Sequence, residues 1–190
     1  MGKIALTLLF LVVHTAMPSA RAKADDPRTI KSWYDELHQA RPKLTQLRFY
    51  FHDTPSGKNP TSVQVAHAPF TNQSATLFGL VNVFDDPLTE GPNPSSKPVG
   101  RAQGLYASAG LESLGLLMNM NLVFTDEKYN GSTLSIMGRN AAMEAYREMP
   151  VVGGSGVFRL ARGTATARTH QFNATTGDAV VEYNIIAMHY

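Results

Sequence analysis

The chain has 190 residues, a formal net charge of +2 at pH 7, 43% hydrophobic residues and no cysteine. This length suits one domain of ordinary size, and without disulfides stability must come from a packed core or from subunit association. The charge is slight, with no basic run and no basic patch interleaved with aromatics, which argues against nucleic acid as a partner.

Lys3 is followed by an apolar run over residues 4–13, too short to span a bilayer and of the length of a signal-peptide core. Ala20-Arg21-Ala22 follows as an Ala-x-Ala cleavage pattern, with Ala22-Lys23-Ala24 as a second candidate. Residues 1–22 therefore read as a signal peptide, the alternative being an N-terminal membrane anchor. No other stretch is long and apolar enough to cross a membrane, so the mature chain is expected to be secreted, in the extracellular space. Asn72-Gln73-Ser74, Asn130-Gly131-Ser132 and Asn173-Ala174-Thr175 fit the glycosylation pattern and fall in stretches that read as loops, whereas proline excludes Asn59-Pro60-Thr61.

Residues 23–43 read as an N-terminal arm, polar apart from a helix-compatible stretch over 29–40 in which Trp33 and Leu37 are four apart. From there alternation dominates, and residues 44–190 form the expected domain. Leu47, Phe49 and Phe51 share one face of the first strand, and the same face ends in Asp53. Further strands are expected at Val63, Val65 and His67, over 77–84, over 99–109 and over 114–124, where apolar residues recur at strict period two. Asn130-Gly131 predicts a hairpin turn into a strand over 132–138, and strands over 157–172 and 179–190 close the chain. Residues 85–98, with four prolines, read as a loop.

Eight strands without a crossover helix favour an antiparallel up-and-down sheet, and closure into an eight-stranded barrel removes its edges. The fold class is thus all-β, with the loop over 85–98 at the barrel mouth. Strands apolar on both faces, such as 77–84, predict a covered outer face and so a homo-oligomer.

Asp53 is the first candidate for chemistry. A carboxyl group among apolar side chains is costly to ionise, and a raised pKa suits a proton donor near neutrality. Its alternative role is a solvated cap before Pro55-Ser56-Gly57. Other patterns carry less. The histidines lack the spacing of a metal site, and neither a metal nor another cofactor is implied. Asp85-Asp86-Pro87 reads as a turn start rather than a calcium loop. Gly153-Gly154-Ser155-Gly156 lacks the lysine and helix of a phosphate cradle and reads as a bend or bulge. Met118 and Met120, at strand spacing, read as core. Arg101 is expected to pair with an acid on a neighbouring strand. A lipocalin fits the barrel in outline, but Trp33 lacks the expected glycine two residues before it.

Five stretches resemble plant dirigent proteins: residues 49–53 (FYFHD), 83–89 (VFDDPLT), 99–106 (VGRAQGLY), 129–132 (YNGS) and 151–158 (VVGGSGVF). The resemblance runs from about Leu44 to Tyr190. It implies a secreted, usually trimeric, eight-stranded barrel of the dirigent and allene oxide cyclase type that steers stereochemistry in phenylpropanoid chemistry of the lignan type. In one branch a radical-generating oxidase makes phenoxy radicals, the barrel orients two of them, and a pocket acid protonates the quinone methide before it cyclises. The resemblance implies Asp53 as that acid, Arg147 as a pocket arginine and Tyr106 as a pocket tyrosine. Phe49 and Phe51 serve as apolar wall for a phenolic substrate. Where that branch has a second acid this chain has Asn140, and where it has a second tyrosine this chain has Ser108. Residues 88–92, 115–119, 138–140 and 147–154 resemble instead the branch that includes the pterocarpan synthases. That branch removes water from an isoflavanol through a quinone methide. Coupling auxiliary and dehydratase both remain open on the sequence, as does a binding protein for phenolics without chemistry.

Overall fold

The computed structural model describes residues 24–190; the apolar run over 4–13 and the Ala20-Arg21-Ala22 pattern lie outside the described residues. The arm forms α1 (Pro27–Glu36) and a short 3-10 turn, Leu37–Gln39. The helix begins two residues earlier than expected because Asp26 caps it, accepting from the Arg28 backbone N–H at 2.8 Å, with Pro27 in the first turn. It buries no residue. Its anchors are the Asp25–Arg159 ion pair and the Arg159 guanidinium, 5.4 Å from the Trp33 ring centre.

Nine antiparallel strands follow: β1 (Lys43–Asp53), β2 (Ser62–Ala66), β3 (Val81–Thr89), β4 (Pro98–Ser108), β5 (Leu116–Phe124), β6 (Thr133–Asn140), β7 (Arg147–Ser155), β8 (Arg162–Phe172) and β9 (Ala179–His189). Their order is β1-β9-β8-β7-β6-β5-β4-β3, and a β1–β3 pairing closes the ring, so eight strands make the barrel. The ninth, β2, lies outside that ring on the edge of β3.

The expected number of barrel strands is right, but their membership changes. The second expected strand, β2, pairs only with β3, and β7 takes its place in the ring. Pro150 and the glycines at 153 and 154 hide β7 from a reading by periodicity. The β6–β7 ladder starts at Val151, so Pro150 stands beyond it, and Val152 is bulged out beside the glycines. The last long strand but one begins at Arg162 rather than 157, because Gly156–Phe158 forms a 3-10 turn. Residues 85–89 belong to β3, which reduces the loop at its end to 90–97. Pro87 is tolerated there because it lies between the two partners of that edge: β2 pairs as far as Phe84 and β1 only with Leu88 and Thr89. The Asn130-Gly131 pair lies at the end of a longer connection, 125–132, with Gly131 at φ +79°.

The β1–β3 seam has only two residue pairs, Tyr50↔Thr89 and Phe51↔Leu88, so packing across it must hold the ring shut. Phe51 meets Phe84 edge-on at 5.6 Å, Phe84 stacks on Tyr106 at 5.8 Å and Phe49 stacks on Tyr183 at 5.9 Å. Each buried aromatic or Leu side chain contributes about 1.5–3 kcal/mol, so Phe51, Phe84 and Leu88 together outweigh two backbone hydrogen bonds at about 1 kcal/mol each. Gly104 lets β4 and β5 approach, since a Cβ there would lie 2.2 Å from the Asn119 carbonyl oxygen. At one end Phe124, Tyr129 and Phe158 plug the barrel with ring centres 5.0–6.0 Å apart. The other end is open.

Candidate active site

The open end is where β1, β4, β6 and β8 finish and β3, β5, β7 and β9 begin. It holds a cavity of about 940 Å³. Phe51, Leu116, Met118 and Val181 form apolar wall, and Leu77, Met143 and Phe172 stand at the exposed rim. A cavity of this size and character suits an aromatic small molecule. Two polar clusters interrupt the wall, one on β1, β2, β3 and β4, the other on β6, β7 and β8.

The first cluster centres on Asp53. Its carboxyl points into the barrel, as alternation along β1 requires, and lines the cavity. Burial pushes its pKa up to about 6; the nearby Ser62 and Tyr106 hydroxyls offset part of that rise, and the Asp178 charge adds to it. Oδ1 is buried with no hydrogen-bond partner. Asp53 is thus a buried carboxyl that holds its proton to higher pH than a free one, rather than a solvated turn cap. Tyr106 accepts from Asn82 Nδ2 at 2.8 Å and lies 3.3 Å from Ser62 Oγ. Burial, and after it the Asp53 charge, push the phenol to about 12, so Tyr106 is a hydrogen-bond donor and not an acid. His52, adjacent in sequence, faces the other way, its Nε2 2.7 Å from Thr89 Oγ1, outside the cavity.

The second cluster centres on Arg147, at the start of β7. Its guanidinium is buried, with 5% of the residue exposed. Nε donates to Asn140 Oδ1 at 3.1 Å, and Nη1 donates to Thr169 Oγ1 at 2.8 Å and to the Glu144 carbonyl at 3.4 Å. Among the described residues no carboxylate pairs with it. Desolvation lowers its pKa from the usual arginine value, which leaves the guanidinium still charged at neutral pH. The cavity therefore contains a fixed positive charge that no protein anion cancels, the arrangement that stabilises negative charge developing on a bound oxygen.

Of the expected site residues, the structure brings Asp53, Phe51, Tyr106, Asn140 and Arg147 to one cavity. Phe49 lies one layer deeper, stacked on Tyr183 and away from the lining. Ser108 lines the cavity and donates to the Thr76 carbonyl at 2.5 Å. Asn72, in the turn Thr71–Gln73, stands exposed at the cavity rim; Asn130 is exposed at the opposite end, and Asn173 is exposed in the turn before β9. Arg101 pairs with Asp85 on β3 at 2.5 Å, on the outer side, as expected. Among the described residues no three His, Asp or Glu side chains converge as a metal ligand set.

Two residues of the cavity wall, and one buried behind it, escape sequence reasoning. Thr169 and Asn82 carry no chemical signature of their own. Asp86 does, but the turn reading of Asp85-Asp86-Pro87 is wrong: Asp86 is mid-strand in β3, on the inward face with Phe84 and Leu88 and 0% exposed. Period-two spacing from Phe84 is the signal that could have found it.

Comparison with known proteins agrees with this geometry. The family model described as dirigent-like protein matches residues 44–188. Dirigent protein 21 of Arabidopsis thaliana is 60% identical over 147 residues, covering 77% of this chain and 78% of the relative. Pterocarpan synthase 1 of Glycyrrhiza echinata is 44% identical over 188 residues, covering 98% and 96%. A solved pterocarpan synthase dirigent protein superposes with a TM-score of 0.75 at 50% identity, over 80% of this chain and 87% of that one. A closed eight-stranded antiparallel barrel with an apolar cavity between an acid and a cation, matched over nearly all its strands, makes this chain a member of the dirigent family.

Proposed function

We propose that this chain is a secreted dirigent protein whose barrel holds phenolic substrates between Asp53 and Arg147 and imposes handedness on the coupling of phenoxy radicals made by a separate oxidase. The observation that carries this is the two-pole cavity: apolar walls take aromatic rings, and the acid and the cation sit in different clusters. Radicals need no catalyst to couple, so the protein's contribution is orientation. The quinone methide that results needs a proton, which Asp53 supplies, and an oxygen that gathers negative charge, which Arg147 stabilises.

A second reading is favoured by one contact. Asn140 accepts from Arg147 where the coupling branch carries an acid, so the guanidinium keeps its full charge toward the cavity. That suits loss of water from an isoflavanol: a phenol that gives its proton to water at the cavity mouth is held as phenolate by Arg147, Asp53 protonates the departing hydroxyl, and the phenolate oxygen becomes the carbonyl of the quinone methide. The likeness to pterocarpan synthases over 98% of the chain supports this reading.

Chiral chromatography of products separates the two. Coupling control gives no product from the protein alone and an enantiomeric excess when an oxidase and a monolignol are added. Dehydration gives product from an isoflavanol without any oxidant. No product and no enantiomeric excess in either assay leaves only a phenolic-binding role.

A further inference from the structure

We propose that Asp86 is a hidden second acid of this site, a positioning residue that shares a proton with Asp53 across the barrel seam and keeps it supplied. This rests on the reading of Asp53 as the proton donor. The β1–β3 register is Tyr50↔Thr89 and Phe51↔Leu88; continued by two residues, it sets Asp53 opposite Asp86, both on the inward face. At that point the strands have parted, because β2 takes over the edge of β3 from Phe84 onward. The seam thus carries two acids at opposed positions with no backbone ladder between them, and the charge of Asp53 acts on Asp86.

Their hydrogen bonding is complementary. Asp86 Oδ1 accepts from Thr61 Oγ1 at 2.5 Å, which fixes the carboxyl plane. Its Oδ2 is buried without a partner, and so is Asp53 Oδ1. A buried carboxylate with an orphaned oxygen is costly in its charged form, so the pair is relieved when it holds a proton. The surrounding charges permit this. Arg101 on β4 is engaged with Asp85, and Asp178 stands toward Asp53 from the turn before β9. The Tyr106 and Tyr183 phenols stay protonated because both are buried. Burial, and after it the charge on Asp53, push Asp86 to about 8, two steps of one pair with Asp53 near 6.

The proton accounting is simple. Asp53 gives its proton to a substrate oxygen and becomes a carboxylate. The Asp86 proton then moves to Asp53, and the pair, left with one proton, regains the second from water at the cavity mouth. Between the two steps one proton still serves the pair, so acid chemistry persists above the midpoint of Asp53 alone.

Carboxyl carbon NMR titration of the full mature chain tests the sharing without any substrate. In wild type the Asp53 carbon should sense both steps. In Asp86→Asn it should sense one, and in Asp53→Asn the Asp86 midpoint should fall by about one pH unit or more. An Asp86 midpoint unmoved in Asp53→Asn overturns the proposal. Should Asp86→Asn not fold, Thr61→Val removes the hydroxyl that favours the Asp86 anion; the upper step should then move to higher pH in both carbons, and a shift confined to Asp86 overturns sharing. In the product assay, with an isoflavanol or an oxidase and monolignol, the alkaline limb in Asp86→Asn should move to lower pH by about one unit. An unmoved limb overturns the supply role. If Asp53→Asn leaves product formation intact while the carbons still titrate together, the functional reading of Asp53 fails and the shared proton stands.

Discussion

Arg147 Nε donates to Asn140 Oδ1 at 3.1 Å, so a buried guanidinium leans on an amide and keeps its charge for the cavity. An unpaired buried charge costs stability, and it persists where function uses it. Arg147→Met keeps much of the volume and removes the charge. We expect folding stability to hold or rise, with product or stereocontrol falling on the order of a hundredfold to a thousandfold. Asn140→Asp tests the same pair from the other side: a carboxylate there cancels the charge. Coupling chemistry should tolerate it, whereas dehydration should slow on the order of tenfold, as read by product formation from an isoflavanol.

The contrast between the two poles shows what was legible in the chain. Asp53 could be placed from period two alone, because Leu47, Phe49 and Phe51 fix its face. Arg147 is placed only through the family resemblance, since Pro150 and two glycines break the periodicity of its strand. Asp86 was hidden by local chemistry: Asp-Asp-Pro is a strong turn signal, and only the parting of β1 and β2 along the β3 edge makes room for it in a strand. Alternation yields eight barrel strands only by a compensation, because it includes β2 and omits β7. Tertiary pairing decides such membership, and no local propensity reports it.

Stability should fall as pH rises from about 4 to 8. Asp53 and Asp86 ionise near 3.8 when unfolded but near 6 and near 8 when folded, so in that window the folded state binds more protons. The contribution is full below about pH 4 and is lost as pH climbs through the folded values. For Asp86 the slope is at most about 1.4 kcal/mol per pH unit. The buried His52 ring, harder to protonate than usual, acts in the opposite direction below its ordinary 6.5. The difference between wild type and Asp86→Asn therefore isolates the effect, and urea denaturation at about pH 5 and about pH 7.5 should show a smaller change in the variant.

Secretion predicts a mature chain that starts near Lys23 and carries sugar on at least one of Asn72, Asn130 and Asn173, all exposed in turns. Mass spectrometry of secreted protein before and after deglycosylation reads both. An intact leader with no glycan mass contradicts the compartment.

The outer face predicts self-association, with a trimer expected and a dimer as the alternative. Val63 on β2 pairs with Val83 on β3, both exposed, and Leu117 and Met137 extend the apolar surface on β5 and β6. Single exposed hydrophobics are ordinary, but this band spread over four strands calls for cover. Light scattering at micromolar concentration should give three subunits, and Val83→Lys should shift the mass toward one. A wild-type monomer means that the band is covered in some other way.

The strongest prediction concerns Asp53. Asparagine matches its size and lacks its proton, so Asp53→Asn should fold and lose product or enantiomeric excess by about a hundredfold to ten-thousandfold. The variant should not be less stable at neutral pH, because an amide has no charge to desolvate where burial already pushes the acid to about 6. In wild type, activity should fall as pH rises across the window from 6 to 8 set by Asp53 and Asp86, the proton-bearing form being the active one. Circular dichroism and the product assay on the same preparation decide the matter: a folded Asp53→Asn protein with undiminished stereocontrol returns this carboxyl to a structural role at the barrel seam.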